Sequence, residues 1–181
     1  MMNSPTFSPY HNLILTGYMG VGKVAVGKAI AHQLGVVFVD LDTEIHLREG
    51  MSGEEIRQLF GESRVRTLEN QLCGELSLRR SSVLSISGVT LLDEDNRRRL
   101  ANSGPVLVLT CALNEILRRL HVVQGARFHD PKVRSAALTQ IRREQQIHRL
   151  PALPSLDTTT LTVEQVAEQA LAFWKAQDIL A

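Results

Sequence analysis

The stretch Leu13-Ile14-Leu15-Thr16-Gly17-Tyr18-Met19-Gly20-Val21-Gly22-Lys23-Val24 decides the fold. Leu13 to Thr16 reads as a short buried strand, and Gly17 to Lys23 then spells G-x-x-x-x-G-K, the spacing of a phosphate-binding loop. Glycines let backbone N–H groups turn inward around phosphate oxygens, a lysine adds a point charge, and the helix that follows adds its positive dipole end. Behind the loop Val26, Ile30 and Leu34 recur at helical spacing, so strand, turn and helix come in the order such a cradle needs. One position departs from the pattern. Where a Ser or Thr hydroxyl would ligate Mg²⁺, the chain has Val24 and then Ala25.

Outward from the loop, short β-rich apolar runs alternate with longer helical patterns, the mark of a parallel sheet covered on both faces. The runs are Leu13 to Thr16, Val36 to Val39, Val83 to Ile86 and Val106 to Thr110, with a weak fifth near Leu156. Asp93 stands as an N-cap before Asn96 to Leu100, and Leu113, Ile116, Leu117 and Leu120 form one apolar stripe. Thr162 and Gln165 make a capping box before Val166, Ala167, Ala170, Leu171 and Trp174, a helix docked by one face. Two segments break the alternation. Residues 42–80 are too long for a simple crossover and read as an inserted helical subdomain; residues 121–131 lack a clear period and read as a lid over the site.

The chain has 181 residues, enough for one domain with a substantial core. Its 20 Lys and Arg nearly balance 19 Asp and Glu, which argues against nucleic-acid or membrane binding through a global field. Cys73 and Cys111 match no metal spacing and read as two reduced thiols. The first residues lack a basic stretch followed by an apolar run, so a cytoplasmic protein is expected, acting as a monomer.

In an open parallel sheet, ligands gather beyond the carboxyl ends of the strands. After the second run come Asp40 and Asp42, two carboxylates beside the phosphate loop that suit a hydrated Mg²⁺ and a substrate hydroxyl. With these residues in place, the chain resembles the shikimate kinases from about Asn12 to Trp174. The order is Gly17 to Lys23, Asp40-Leu41-Asp42, Gly50-Met51-Ser52, Gly61-Glu62 followed by Arg66 and Glu69, then a strand ending in a glycine turn.

The resemblance implies a three-layer α/β/α P-loop kinase fold with a five-stranded parallel sheet (core about 12–175), an inserted substrate subdomain and a lid. It implies ATP and Mg²⁺ as cofactors and shikimate as the acceptor. Asp42 would hold the shikimate hydroxyls, Arg66 and Arg149 (in Arg149-Leu150-Pro151) its carboxylate, and Gly88 would offer a backbone N–H. The nucleotide would take Gly17, Gly20, Val21, Gly22, Lys23, Val24 and Arg119, with Arg127 of the lid reaching the phosphates; Lys23, Asp42 and Arg127 would be catalytic. Asp40 and Ser85 would order the metal's water shell.

The chain also departs from that family beyond Val24. Its glycine turn is Ser87-Gly88-Val89, its lid has Arg127-Phe128 rather than Arg-Pro, it is short after Arg149, and its adenine-side loop reads Asp157-Thr158-Thr159-Thr160. Three functions therefore stand open on sequence: phosphoryl transfer from ATP to shikimate, at full or reduced rate; a non-catalytic relative that binds shikimate, nucleotide or a partner; and a kinase of another small hydroxy acid such as a sugar acid.

Overall fold

A computed structural model describes residues 9–150 and 153–178. Five strands, β1 (Leu13–Gly17), β2 (Val37–Asp40), β3 (Ser82–Ser85), β4 (Val106–Thr110) and β5 (Ser155–Asp157), form one parallel sheet in the order β2-β3-β1-β4-β5. The glycine loop follows β1, the central strand, and so emerges where the order reverses on either side. Side chains alternate across β1. Leu13 and Leu15 join Val26, Ile30, Leu109, Ile116 and Trp174 on one face, whereas Ile14 joins Leu41, Ile56, Leu72, Leu84 and Val108 on the other. Two cores thus flank the sheet and give three layers.

The first core is closed by α1 (Lys23–Leu34), α6 (Leu113–Gln124), α7 (Pro131–Glu144) and α8 (Val163–Asp178), the second by α2 (Leu41–Glu49), α3 (Gly53–Phe60), α4 (Glu62–Ser77) and α5 (Glu94–Ala101). Local sequence sets several of these boundaries. Ser52 and Glu55 close a full capping box on α3, Asp93 accepts from the N–H groups of Asp95 and Asn96 at the start of α5, and Thr162 and Gln165 exchange bonds before α8. Helices α2 to α4 fill the segment between β2 and β3.

The lid segment departs from its aperiodic reading. Helix α6 runs on to Gln124, a 3₁₀ turn covers Gly125–His129, and Phe128 reaches the first core at 5% exposure. One aromatic anchor does there what a periodic stripe does elsewhere. Strand β5 is only three residues, in keeping with the shortened chain after Arg149. Among the described residues no helix is long and apolar enough to cross a membrane.

Candidate active site

The glycine loop is held from outside by packing. Gly17 has φ +133°, and a Cβ there would stand 2.3 Å from the Leu109 carbonyl oxygen; at Gly20, φ +83°, a Cβ would stand 2.7 Å from the Ile116 side chain. Only glycine allows β4 and α6 to press so closely on the loop. Between them Tyr18 is pinned to β4's end: its hydroxyl donates to the Cys111 carbonyl and accepts from the Cys111 N–H, both at 2.8 Å. Arg119 ties α6 to the other side of the loop. It donates to the Thr158 carbonyl at 2.6 Å, to the Thr158 hydroxyl at 3.1 Å and to the carbonyls of Gly20 and Val21, while Glu115 holds its Nε at 2.9 Å.

Inside the loop, Lys23 donates to the carbonyls of Gly17 (3.2 Å) and Tyr18 (3.1 Å). Burial lowers the pKa of its ammonium, against which Glu144, Asp42 and Asp40 pull it up. A cavity of about 860 Å³ opens over the loop, walled by Gly20, Val21, Gly22, Lys23 and Val24, by Asp40 and Asp42, and by Arg119 and the Thr158–Thr160 segment. Gly17 lies behind this wall. The Val24 side chain is 39% exposed there, offering the cavity carbon where a hydroxyl was sought.

Asp40 ends β2 and caps α2, accepting from the Thr43 N–H at 3.1 Å and the Thr43 hydroxyl at 2.8 Å. Asp42 sits in the first turn of the helix. Its carboxyl is pushed up by burial and then by Asp40, with Lys23 opposing. Ser85 pairs with Asp40 in the β2–β3 register, and its buried hydroxyl has no partner among the described residues. No three His, Cys, Asp or Glu side chains among those residues group closely enough to hold an ion alone.

A second cavity, about 1260 Å³, lies between the inserted helices and α7. Asp42 and Met19 line both cavities, so the two meet at the head of the glycine loop. Arg57 and Arg143 face the second cavity from opposite sides and share Glu62, at 2.6 Å and 3.0 Å. Arg127 and Lys132 line it as well. Glu69 lies in its wall, accepting from Thr90 at 3.1 Å, with burial pushing its carboxyl up to about 7.

Several residues expected in this cavity are elsewhere. Arg66 falls beside the buried Val65, Leu68 and Leu72 stripe of α4 rather than on it, so its side chain points out, 72% exposed, with Glu62 3.9 Å away. Arg149 ends a 3₁₀ turn whose buried residue is Ile147 and is itself exposed; Pro151 lies outside the described residues. The Gly88 N–H is spent on the Gly17 carbonyl at 3.0 Å, and a Cβ on Gly88 would stand 2.7 Å from the Glu144 carbonyl. Arg127 lines the second cavity and not the one over the glycine loop.

The sequence reading did not single out Arg57, Arg143 or Glu144, all of which line the second cavity. Glu144 carried a signal: with Ala137 and Ile141 it completes an i, i+4, i+7 stripe, and all three are buried. At 5% exposure its carboxylate accepts from the Met19 N–H at 2.5 Å, the Ser87 hydroxyl at 3.0 Å and Gln140 at 2.8 Å.

The model of the family described as shikimate kinase matches residues 19–175. The chain belongs to the shikimate kinase family. It is 33% identical to a shikimate kinase of Thermodesulfovibrio yellowstonii over 167 residues, covering 88% of this chain and 92% of that one. With the Geobacter metallireducens shikimate kinase the identity is 32%, over 92% and 93% of the two chains. Among solved structures, the shikimate kinase of Acinetobacter baumannii in complex with shikimate superposes with a TM-score of 0.78 at 26% identity, covering 94% of this chain and 96% of that one. A gluconokinase of Sinorhizobium meliloti, at 18% identity and a TM-score of 0.62, shares the fold. The family's P-loop kinase architecture is therefore that of this chain.

Proposed function

We propose that the protein transfers the terminal phosphoryl group of ATP to the 3-hydroxyl of shikimate, giving ADP and shikimate 3-phosphate. The observation that carries this reading is the junction of two cavities at Met19 and Asp42, one over the phosphate loop and one ringed by arginines. Nucleotide phosphates lie along the amides of Gly20 to Val24, with Lys23 neutralising charge as it develops on the moving group. Shikimate lies in the second cavity, its hydroxyls toward Asp42 and its carboxylate toward Arg57 and Arg143. The guanidinium fork suits a small carboxylate, and Glu62 fixes both forks in place. Arg127 adds positive charge from the lid side of the same cavity.

Mg²⁺ fits this site as a hydrated ion. Asp40 and Asp42 stand together on the wall of the nucleotide cavity, and the unpartnered Ser85 hydroxyl lies beside Asp40. These three would hold the ion through water, since Val24 supplies no oxygen. Bound there, it neutralises phosphate charge. Free, buried Cys73 and Cys111 support a reducing, cytoplasmic setting, and both cavities are walled by one chain, which supports a monomer as the working unit.

A coupled assay of ADP release with ATP, Mg²⁺ and shikimate tests the proposal. Shikimate-dependent release is expected, and Lys23→Ala lowers it by about a hundredfold or more. ADP release that does not depend on shikimate counts against the acceptor assignment.

A further inference from the structure

Glu144 places a buried negative charge on an amide of a loop built to hold phosphate. Its Oε2 accepts from the Met19 N–H, while Ser87 and Gln140 hold Oε1. Met19 is the loop residue that lines both cavities, whereas Gly20 to Val24 line only the nucleotide cavity. A diphosphate resting on Gly20 to Val24 leaves the Met19 amide alone. The group that must reach that amide is the one passing between the cavities, the terminal phosphoryl of a triphosphate.

We propose that Glu144 is a specificity-determining residue at the transfer end of the cradle: its carboxylate stands in for the terminal phosphoryl on Met19, so that nucleoside diphosphate binds without displacing it and triphosphate binds only by driving it off. Two anions cannot share one N–H in a site from which water is largely excluded. The buried position of Glu144, its Ser87 and Gln140 restraints and its nearness to Lys23 hold it there rather than in solvent. Ser87 and Glu144 thus act together, the hydroxyl fixing the carboxylate that the glycine loop receives. Release of Glu144 moves the end of α7, a wall of the acceptor cavity, so that triphosphate entry reshapes the site where the acceptor docks.

The inference rests on the reading of the glycine loop as the nucleotide site, and calorimetry separates the two. ADP and a non-hydrolysable ATP analogue are titrated at fixed Mg²⁺ into the full-length protein, Glu144→Gln and Ser87→Ala. Unmutated protein is expected to bind ADP about tenfold or more tightly than the analogue. Glu144→Gln, which keeps the shape and an acceptor oxygen for Met19, is expected to tighten the analogue about tenfold with ADP affinity changed less than about twofold. Ser87→Ala loosens the carboxylate and moves the ratio in the same direction, and it decides the matter if Glu144→Gln does not fold. ADP binding with the same ADP-to-analogue ratio in all folded forms overturns the inference and leaves the nucleotide site standing. Absence of ADP binding from the unmutated protein overturns both.

Discussion

Glu69 and Val24 each put an unexpected chemistry into a cavity wall. Burial raises the Glu69 carboxyl from 4.5 to about 7, with the Thr90 hydrogen bond opposing and Asp42 adding. A carboxyl raised on folding binds its proton more tightly in the native state, so its stabilising contribution is complete below the unfolded value and is lost as pH rises through about 7. Glu69→Gln keeps an acceptor for Thr90 and removes the titration. Its unfolding free energy should match the unmutated protein near pH 4.5 and exceed it by up to about 3 kcal/mol at pH 8, measured by urea denaturation across that range. Parallel stability curves would show that Glu69 ionises as freely in the fold as out of it. Val24 supplies carbon where a metal-binding hydroxyl was expected, at an exposed point of the cavity wall. Val24→Ser adds that oxygen on a smaller side chain at an exposed point, so turnover should rise about tenfold and half-saturate at lower Mg²⁺. The gain should disappear in Lys23→Ala, which separates phosphoryl transfer from a contaminating activity.

At the level of elements, what could be read from sequence follows from how local each cause is. Strand β4 and the caps of α5 and α8 rest on a few adjacent residues, and the chain spells them out. Strands β2 and β3 were legible to within one residue, since their apolar runs end at the polar residues that face the site. The glycine loop was legible for the same reason, its spacing being a backbone requirement. The acceptor cavity is different, because its walls come from α3, α4 and α7, and the facing of each helix depends on partners distant in sequence. Arg66 sits in the motif order, yet the Val65, Leu68 and Leu72 stripe of α4 turns it outward. Arg57 lies nine residues earlier and enters the cavity because Glu62, at the start of α4, draws it in. The lid region carries no periodic apolar signal because Phe128 is the one buried residue in 121–131.

Over the whole molecule, the acceptor cavity depends on one shared carboxylate joining the inserted helices to α7. Glu62 receives Arg57 at 2.6 Å and Arg143 at 3.0 Å, and Arg57 also reaches Glu54. Burial raises the Glu62 pKa, but Arg57 and then Arg143 outweigh it and hold the carboxyl below its ordinary value. Glu62 therefore stays ionised and keeps both guanidinium groups oriented while neutralising only part of their charge, which leaves donors for a small anion between them. If these two arginines read the acceptor, Arg57→Ala and Arg143→Ala should each weaken shikimate binding by about ten- to a hundredfold, the loss of one charge-assisted pair. Arg66→Ala and Arg149→Ala should change it less than about threefold, because both side chains are exposed outside the cavity and a solvated charge contributes little. Calorimetric titration of shikimate into all four variants, each checked for a native melting transition, distinguishes the assignments. The reverse ranking would mean that the inserted helices rotate on binding to carry Arg66 inward, and the cavity lined by Arg57 and Arg143 would then be only one of two arrangements.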